Sequence, residues 1–306
     1  MKKARPFIKW VGGKSQLIEQ LEAQLPADFD NWDNATYIEP FVGGGAMLFY
    51  MLQKHPNIKR AVINDINSDL NTCYRTVRDN VEELIPALQD IQAEYYALPD
   101  MEAKREMFMT VRHRYNEKNL DPIENTAKFF FLNRTCFNGL YRVNKKGLFN
   151  VPCGKYMQPQ ICDEETLRAD SELLKRVEIL EGDFENTLLC ANGKTLFYFD
   201  PPYNAPSSLI CYKNNYKDSS WISMMDSRLE LSKELRGNRA SYSIAIDKWE
   251  HNNLYDLCKQ KFADSDVVDV AVEHNKKGTM GDHFSYSNEY AIFVVSNNIK
   301  YLNEKI

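Results

Sequence analysis

The stretch Ala35–His55 reads ATYIEPFVGGGAMLFYMLQKH. A short apolar run ends at Glu39, three glycines follow at Gly43–Gly45, and apolar residues then recur at helical spacing. Glycine takes up backbone angles that other residues avoid and lets main chain come close to a ligand. Strand, glycine turn and helix N-terminus together make the nucleotide-binding crevice of open α/β sheets. The dinucleotide pattern GxGxxG is absent, so the glycines alone are a weak signal.

The same alternation runs outward from this point. KRAVINDIN reads as a second strand ending at Asp65, followed by the helical SDLNTCYRTVRDNVEELIPALQDI. VEILEGDFENTL is a third strand ending near Asp183, and KTLFYFDPPY a fourth. RASYSIAID, SDVVDVAVEH and EYAIFVVSN read as later strands, the last two as an antiparallel pair at the sheet edge. Short apolar runs alternating with helical segments predict an α/β fold: a mixed, mostly parallel sheet with helices on both faces.

Between the second and third strands the alternation stops. This stretch carries the helical MEAKREMFMTVRHRYNEK and PIENTAKFFFLNRTC, then the turn-rich FNGLYRVNKKGLFNVPCGKYMQP. An exposed hairpin is expected around Asn144–Gly147. It places Arg142, Lys145, Lys146 and Lys155 among Tyr141, Phe149 and Tyr156. Such a mixture suits phosphate contact and base stacking; it equally suits a solvated hairpin that packs its aromatics inward.

Composition narrows the class without deciding it. The 306 residues allow one large domain or a core domain with an insertion. The hydrophobic share of 43% and charged share of 26% are ordinary. No apolar run reaches membrane-spanning length, and MKKARPFIKW lacks the apolar core of a signal peptide, so no membrane is implied and a cytoplasmic location is expected. Cys73, Cys136, Cys153, Cys162, Cys190, Cys211 and Cys258 are odd in number and form no CxxC pair, which favours reduced thiols. The five histidines show no ligand spacing, so no metal is expected. The net charge of −5 argues weakly against a nucleic-acid partner, although a basic face can sit on an acidic molecule.

The acidic residues at strand ends carry more. Asp65 is placed to accept hydrogen bonds from ribose hydroxyls, and Asp183 one from an exocyclic amine. Taken singly, each is more ordinarily a helix cap. Three acidic strand ends beside one glycine turn favour a nucleoside ligand. The fourth strand then runs into LFYFDPPYNAP, Leu196–Pro206. Two prolines stiffen the exit from the sheet and hold Asp200 and Tyr203 in one geometry. An exocyclic base amine is a poor nucleophile because its lone pair is delocalised into the ring. Asp200 and the Pro201 carbonyl, held by Pro202, could accept its N–H protons and draw the nitrogen toward tetrahedral geometry. Tyr203 would stack on the ring. Such a base has to leave the duplex. The alternative is a purely structural proline turn.

FIKWVGGK (Phe7–Lys14), EPFVGGGA (Glu39–Ala46), NDIN (Asn64–Asn67), FNGLYRVNKKGLFNVPCGKY (Phe137–Tyr156), EGDF (Glu181–Phe184) and DPPY (Asp200–Tyr203) occur here in one order. That series resembles the Dam-type, class alpha DNA adenine-N6 methyltransferases. The resemblance implies a Rossmann-like methyltransferase fold, S-adenosyl-L-methionine as cofactor, double-stranded DNA as partner, base flipping and methylation of adenine within GATC. A cognate restriction endonuclease acting on the same site is a further implied partner. By the same resemblance Trp10, Lys14, Glu39, Phe41, Gly43, Asp65 and Asp183 correspond to cofactor-binding positions, and Asp200, Pro201, Pro202 and Tyr203 to the catalytic motif. Lys9, Leu140, Arg142, Pro152 and Tyr156 correspond to base-reading or intercalating positions, and Asn138 and Lys155 to backbone contacts. Residues 1–69 and 174–306 are expected to form the catalytic domain and residues 70–173 an inserted target-recognition region.

After Tyr203 the pattern changes. Asn204–Leu235 and Asn275–Val295 resemble another adenine methyltransferase branch, so Ser207–Ser220 and His274–Asn288 could add DNA contacts of their own. Within the enzyme class, the same Asp-Pro-Pro-Tyr could serve cytosine N4 or an RNA adenine. From a different class, the chain could be a catalytically inactive DNA-binding regulator.

Overall fold

The computed structural model describes residues 3–10, 17–200, 218–235, 241–246, 250–273 and 288–296. The chain divides into two compact units. One comprises Met1–Gly13, Gly43–Gln53 and Asn67–Ile179; the other comprises Lys14–Val42, Lys54–Ile66 and Leu180–Ile306.

Apart from Val177–Ile179, a seven-stranded sheet organises the second unit. In chain order its strands are β1 (Ala35–Glu39), β2 (Ile58–Asp65), β3 (Val177–Glu181), β4 (Thr195–Phe199), β5 (Ser241–Ile246), β6 (Ser265–Glu273) and β7 (Asn288–Ser296). Their order across the sheet is β3-β2-β1-β4-β5-β7-β6. β1 pairs in parallel with β2 and β4, and β4 with β5. β7 runs antiparallel to both β5 and β6, as the terminal apolar runs predict. This is a Rossmann-like arrangement: a mixed, mostly parallel sheet with a reversed strand inserted beside its edge.

Every residue of β1 and β4 is buried, so both faces of these central strands are covered. After a short α1 (Ile18–Glu22), the helices of this unit are α8 (Glu185–Leu188), α9 (Asp218–Leu235) and α10 (His251–Lys261). Ile38, Val62, Phe197, Phe199, Tyr242, Ile244 and Ile292 from five strands meet Leu188, Trp221, Met225, Leu229, Leu254 and Leu257 from these helices in one core. Each such side chain contributes about 1.5–3 kcal/mol by leaving water.

The first unit is largely helical. It contains most of α2 (Ala46–Lys54), then α3 (Ser68–Asp79), α4 (Val81–Ala97), α5 (Met101–Asn116), α6 (Pro122–Thr135) and α7 (Glu164–Leu174). α6 carries Phe129, Phe130, Phe131 and Leu132 in succession, all buried. Four apolar residues in succession reach around the helix, so this part lies inside, and α3, α4 and α5 pack against it. Its start is set by Asp121, whose side chain accepts the Ile123 and Glu124 N–H groups, with Pro122 at the first helical position. Asn67, Asp100 and Asp163 cap α3, α5 and α7 in the same way.

The apolar run after Asp65, expected as one helical stretch, is two helices. Asn80, with φ −132 and ψ 33, ends α3 and starts α4. β3 stops at Glu181 rather than near Asp183, because Gly182 adopts φ +110 and turns the chain off the sheet. Pro201–Lys217 and the segment 274–287 lie outside the described residues.

Candidate functional site

In the sheet unit, four acids stand at or just beyond strand ends. Glu39 closes β1, Asp65 closes β2, Asp183 follows β3 by two residues and Asp200 follows β4 directly. In sheet order they run Asp183, Asp65, Glu39, Asp200. The strand ends are tied together by backbone and amide contacts. Asn64 Nδ2 donates to the carbonyls of Pro40 at 3.2 Å and Gly182 at 3.1 Å, and the Gly182 N–H donates to the Asp65 carbonyl at 3.2 Å. The Val42 N–H donates to the Asn64 carbonyl at 3.0 Å.

Glu39 is buried and accepts the Tyr37 hydroxyl at 2.8 Å. Burial first, then the charge of Glu39, push the Tyr37 phenol well above its ordinary range; Asp200 adds to the effect. Tyr37 therefore stays a neutral donor at neutral pH. Asp65 is buried, whereas Asp200 is half-exposed. Phe41 lies against Phe184 with centroids 5.3 Å apart and within 6.4 Å of Phe199. Asp183 is exposed, and one of its oxygens accepts the Glu185 N–H at 3.1 Å in the turn before α8, whose N-cap is Phe184. Carboxylates are acceptors only. A row of them beside an aromatic wall suits a ligand with hydroxyl and amine donors on a flat ring.

In the helical unit, the glycine turn is closed around Trp10 and Tyr74. Gly43 has φ +48, and a Cβ there would stand 2.8 Å from the Trp10 ring; at Gly44 it would meet Trp10 Cβ at 3.0 Å. Gly45 has φ +70, and a Cβ would fall 2.5 Å from the Tyr74 hydroxyl. That hydroxyl donates to the Gly43 carbonyl at 3.0 Å. Trp10 stacks on Tyr141 at 5.4 Å, and Tyr141 donates to Asp69 at 3.0 Å. Lys14 lies outside the described residues, as do Pro201, Pro202 and Tyr203.

The hairpin forms where the turn residues place it. Val143 pairs with Phe149, the Gly147 N–H donates to the Asn144 carbonyl at 2.9 Å, and Gly147 has φ +75. Its aromatics divide. Phe149 is buried and packs on Tyr115 and Tyr141, so it is not available to stack on a base. Arg142 Nε donates to Asn150 Oδ1 at 2.7 Å and its Nη2 to the Asn150 carbonyl at 3.2 Å, which aims the guanidinium. Pro152 and Lys155 are exposed and Leu140 half-buried.

Asn138 is exposed with φ 54, and Gly139 follows with φ +64. Lys9 packs its stem on Gly139 and sets its ammonium 5.0 Å from the Tyr156 ring. Asn133 holds this group together. Its Oδ1 accepts the Lys9 N–H at 2.8 Å, and its Nδ2 donates to the carbonyls of Lys9 at 2.8 Å and Gly139 at 3.1 Å. All seven residues expected to meet DNA thus belong to the helical unit, and Lys9 meets Gly139, the neighbour of Asn138, and Tyr156 although they are distant in sequence.

Comparison with known proteins decides what this combination is. Residues 10–267 match the family described as D12 class N6 adenine-specific DNA methyltransferase. The chain belongs to that family. Among its relatives, the type II methyltransferase M.MjaIII of Methanocaldococcus jannaschii is 44% identical over 79% of this chain and 86% of that protein. The type II methyltransferase M1.LlaDCHI of Lactococcus lactis subsp. cremoris is 38% identical over 65% and 66%. The DNA adenine methylase of Vibrio cholerae is 32% identical over 71% of each chain. The chain is thus an adenine-specific DNA methyltransferase. DNA is its substrate, and the chemistry requires a methyl donor. Among the described residues, no group of acidic, histidine and cysteine side chains could hold a metal, and no helix is long and apolar enough to cross a membrane.

Several residues that shape the candidate site are not singled out by the sequence as site residues, although Asn64 and Asn150 lie within its motifs. Asn64 and Asn133 are amides whose value lies in two and three simultaneous contacts, which spacing along the chain does not reveal. Tyr74 sits on α3 at an ordinary core position and reaches the glycine turn only in three dimensions. Asn150 is a turn residue by composition, yet it is the side chain that orients Arg142.

Proposed function

We propose that this methyltransferase uses S-adenosyl-L-methionine and methylates adenine N6 within GATC in duplex DNA, acting on a base flipped out of the helix. The observation that carries the reading is the row of acids along the strand ends, with Phe41 and Phe184 beside it. Asp65 would accept the ribose hydroxyls and Asp183 the exocyclic amine of the cofactor, with Phe41 against its ring; Glu39, Gly43, Trp10 and Lys14 complete the proposed set. When bound, the cofactor supplies an electrophilic methyl group together with its own leaving group.

The protein's part is orientation and electrostatics. Asp200 and the Pro201 carbonyl accept hydrogen bonds from the target amine, which concentrates its lone pair toward the methyl group. Pro202 stiffens that turn and Tyr203 stacks on the base. No covalent enzyme intermediate is needed. Residues 70–173 serve as the target-recognition region. Lys9, Leu140, Arg142, Pro152 and Tyr156 read or wedge the bases, and Asn138 and Lys155 contact the backbone. The proposed setting is cytoplasmic, and a restriction endonuclease of the same specificity would be a natural companion.

The test is to incubate the protein with S-adenosyl-L-methionine and unmethylated DNA, then sequence the modified positions and identify the nucleoside by mass. N6-methyladenine confined to GATC is the expected outcome. N4-methylcytosine, or N6-methyladenine in another sequence, would replace this reading.

A further inference from the structure

Cys136 and Cys153 face each other across an isolated antiparallel bridge at the base of the hairpin. The hydrogen bonds around them define the register. The Phe137 N–H donates to the Pro152 carbonyl at 2.9 Å and the Gly154 N–H to the Thr135 carbonyl at 2.8 Å. Neither bond belongs to the two cysteines, so they occupy a non-hydrogen-bonded pair. At such a pair the Cα atoms lie about 4.5 Å apart and the side chains leave on the same face. A disulfide spans Cα separations of about 4.4–6.8 Å. Both cysteines are unbonded thiols, Cys136 buried and Cys153 half-exposed.

We propose that Cys136 and Cys153 are a dithiol that closes to a disulfide, stapling the hairpin base and weakening the hold on duplex DNA. The oxidant is a low-molecular-weight disulfide such as oxidised glutathione. The more exposed Cys153 thiolate attacks one glutathione sulfur and the other glutathione leaves as a thiolate. The Cys136 thiolate then attacks the Cys153 sulfur of the mixed disulfide and releases the second glutathione. Two protein thiols and one glutathione disulfide become one protein disulfide and two glutathione thiols, the thiol protons passing to the leaving groups.

Burial opposes ionisation of Cys153, while Arg105 and Arg112 favour its thiolate. Cys136 is pushed up to about 12 by burial and acts as the resolving partner, where its position opposite the first sulfur compensates for a small thiolate fraction.

The consequence for DNA follows from what Cys136 does when reduced. Its Sγ–H reaches the Leu140 carbonyl at 3.3 Å and the Asn133 carbonyl at 3.7 Å. Forming the disulfide removes that proton and turns the sulfur toward Cys153. The turn Phe137–Gly139 and Leu140 then lose a tether while the hairpin base becomes rigid. The effect on DNA rests on the proposed roles of Asn138 and Leu140; the disulfide itself does not.

The full-length protein is equilibrated in glutathione buffers of graded redox ratio and its disulfides are mapped by peptide mass. Methylation kinetics on duplex DNA and S-adenosyl-L-methionine binding are measured on the same samples. The expected result is a Cys136–Cys153 disulfide and a severalfold rise in KM for DNA at unchanged cofactor affinity. Reduction with dithiothreitol reverses both, and neither occurs in Cys153→Ser. Absence of that disulfide, its mapping to other cysteines, or its formation without any change in KM overturns the proposal. A reduced protein that fails to methylate DNA adenine would instead count against the proposed function, because the mass readout is independent of it.

Discussion

Asp200 is where the proposed chemistry is concentrated. It leaves β4 half-exposed, and its charge reaches the buried Tyr37. Removing one preorganised electrostatic contact from a transition state costs on the order of 10²–10³ in rate. Asp200→Ala should therefore lose methyl transfer in single-turnover assays while keeping its fold and cofactor binding, with Asp200→Asn intermediate. Near wild-type transfer by Asp200→Ala would mean that the acid only shapes the turn. Asp65 belongs to the other half of the proposal. It is buried, so deleting its acceptors should weaken S-adenosyl-L-methionine binding by about 1–3 kcal/mol, read by calorimetry. Unchanged affinity would remove Asp65 from the cofactor site.

The hairpin is the element in which the proposed positioning and reading roles can be separated. Arg142 lies beside the Val143–Phe149 bridge, and Asn150 takes two of its donors. If the remaining guanidinium edge meets a guanine, Arg142→Ala should lose about 1–3 kcal/mol of discrimination at one base pair. Asn150→Ala should show a smaller loss at the same base pair, because it frees the fork without deleting it. Lys155→Ala should weaken all sequences alike and flatten the salt dependence, as loss of a phosphate contact does. Relative rates on single-substituted sites at two salt concentrations separate the three variants. Equal effects on every site in Arg142→Ala would assign that residue to the backbone.

The stability of the whole molecule carries a titration outside the catalytic residues. Asp170 on α7 is fully buried and accepts the Arg5 N–H at 2.9 Å, while its second oxygen has no hydrogen-bond partner among the described residues. Burial pushes this carboxyl to about 8; the Arg5 N–H opposes the shift and Asp163 adds to it. An unfolded Asp titrates near 3.9. Between about pH 4 and pH 8 the native protein holds a proton that the unfolded chain has lost, so stability falls as pH rises through that window. The slope from this one group approaches about 1.4 kcal/mol per pH unit. Asp170→Asn keeps an acceptor for Arg5 and cannot ionise, so its stability should change less with pH between about 5 and 8 in denaturant titrations. An unaltered slope would show that Asp170 is already ionised in the native state.

Much of this protein is legible before folding because the signals are local. Apolar runs that stop at Glu39, Asp65 and Phe199 become β1, β2 and β4 because burial on both faces demands continuous apolar strands. The sheet edge, the glycine turn and the hairpin tip are equally local, since φ signs and β-propensity belong to single residues. The motifs also name the family. What only the tertiary structure decides is which distant residues meet. Asn64 ties Pro40 to Gly182, Tyr74 closes the glycine turn, Asn133 joins Lys9 to Gly139, and Cys136 comes to lie opposite Cys153. Phe149, as aromatic in sequence as Tyr156, is withdrawn from any base by packing on Tyr115. The physical reason is the same in each case. Backbone angles and strand patterning follow from neighbours along the chain, whereas the partner of an amide, a hydroxyl or a thiol is chosen by the register in which whole elements pack, which no single segment encodes.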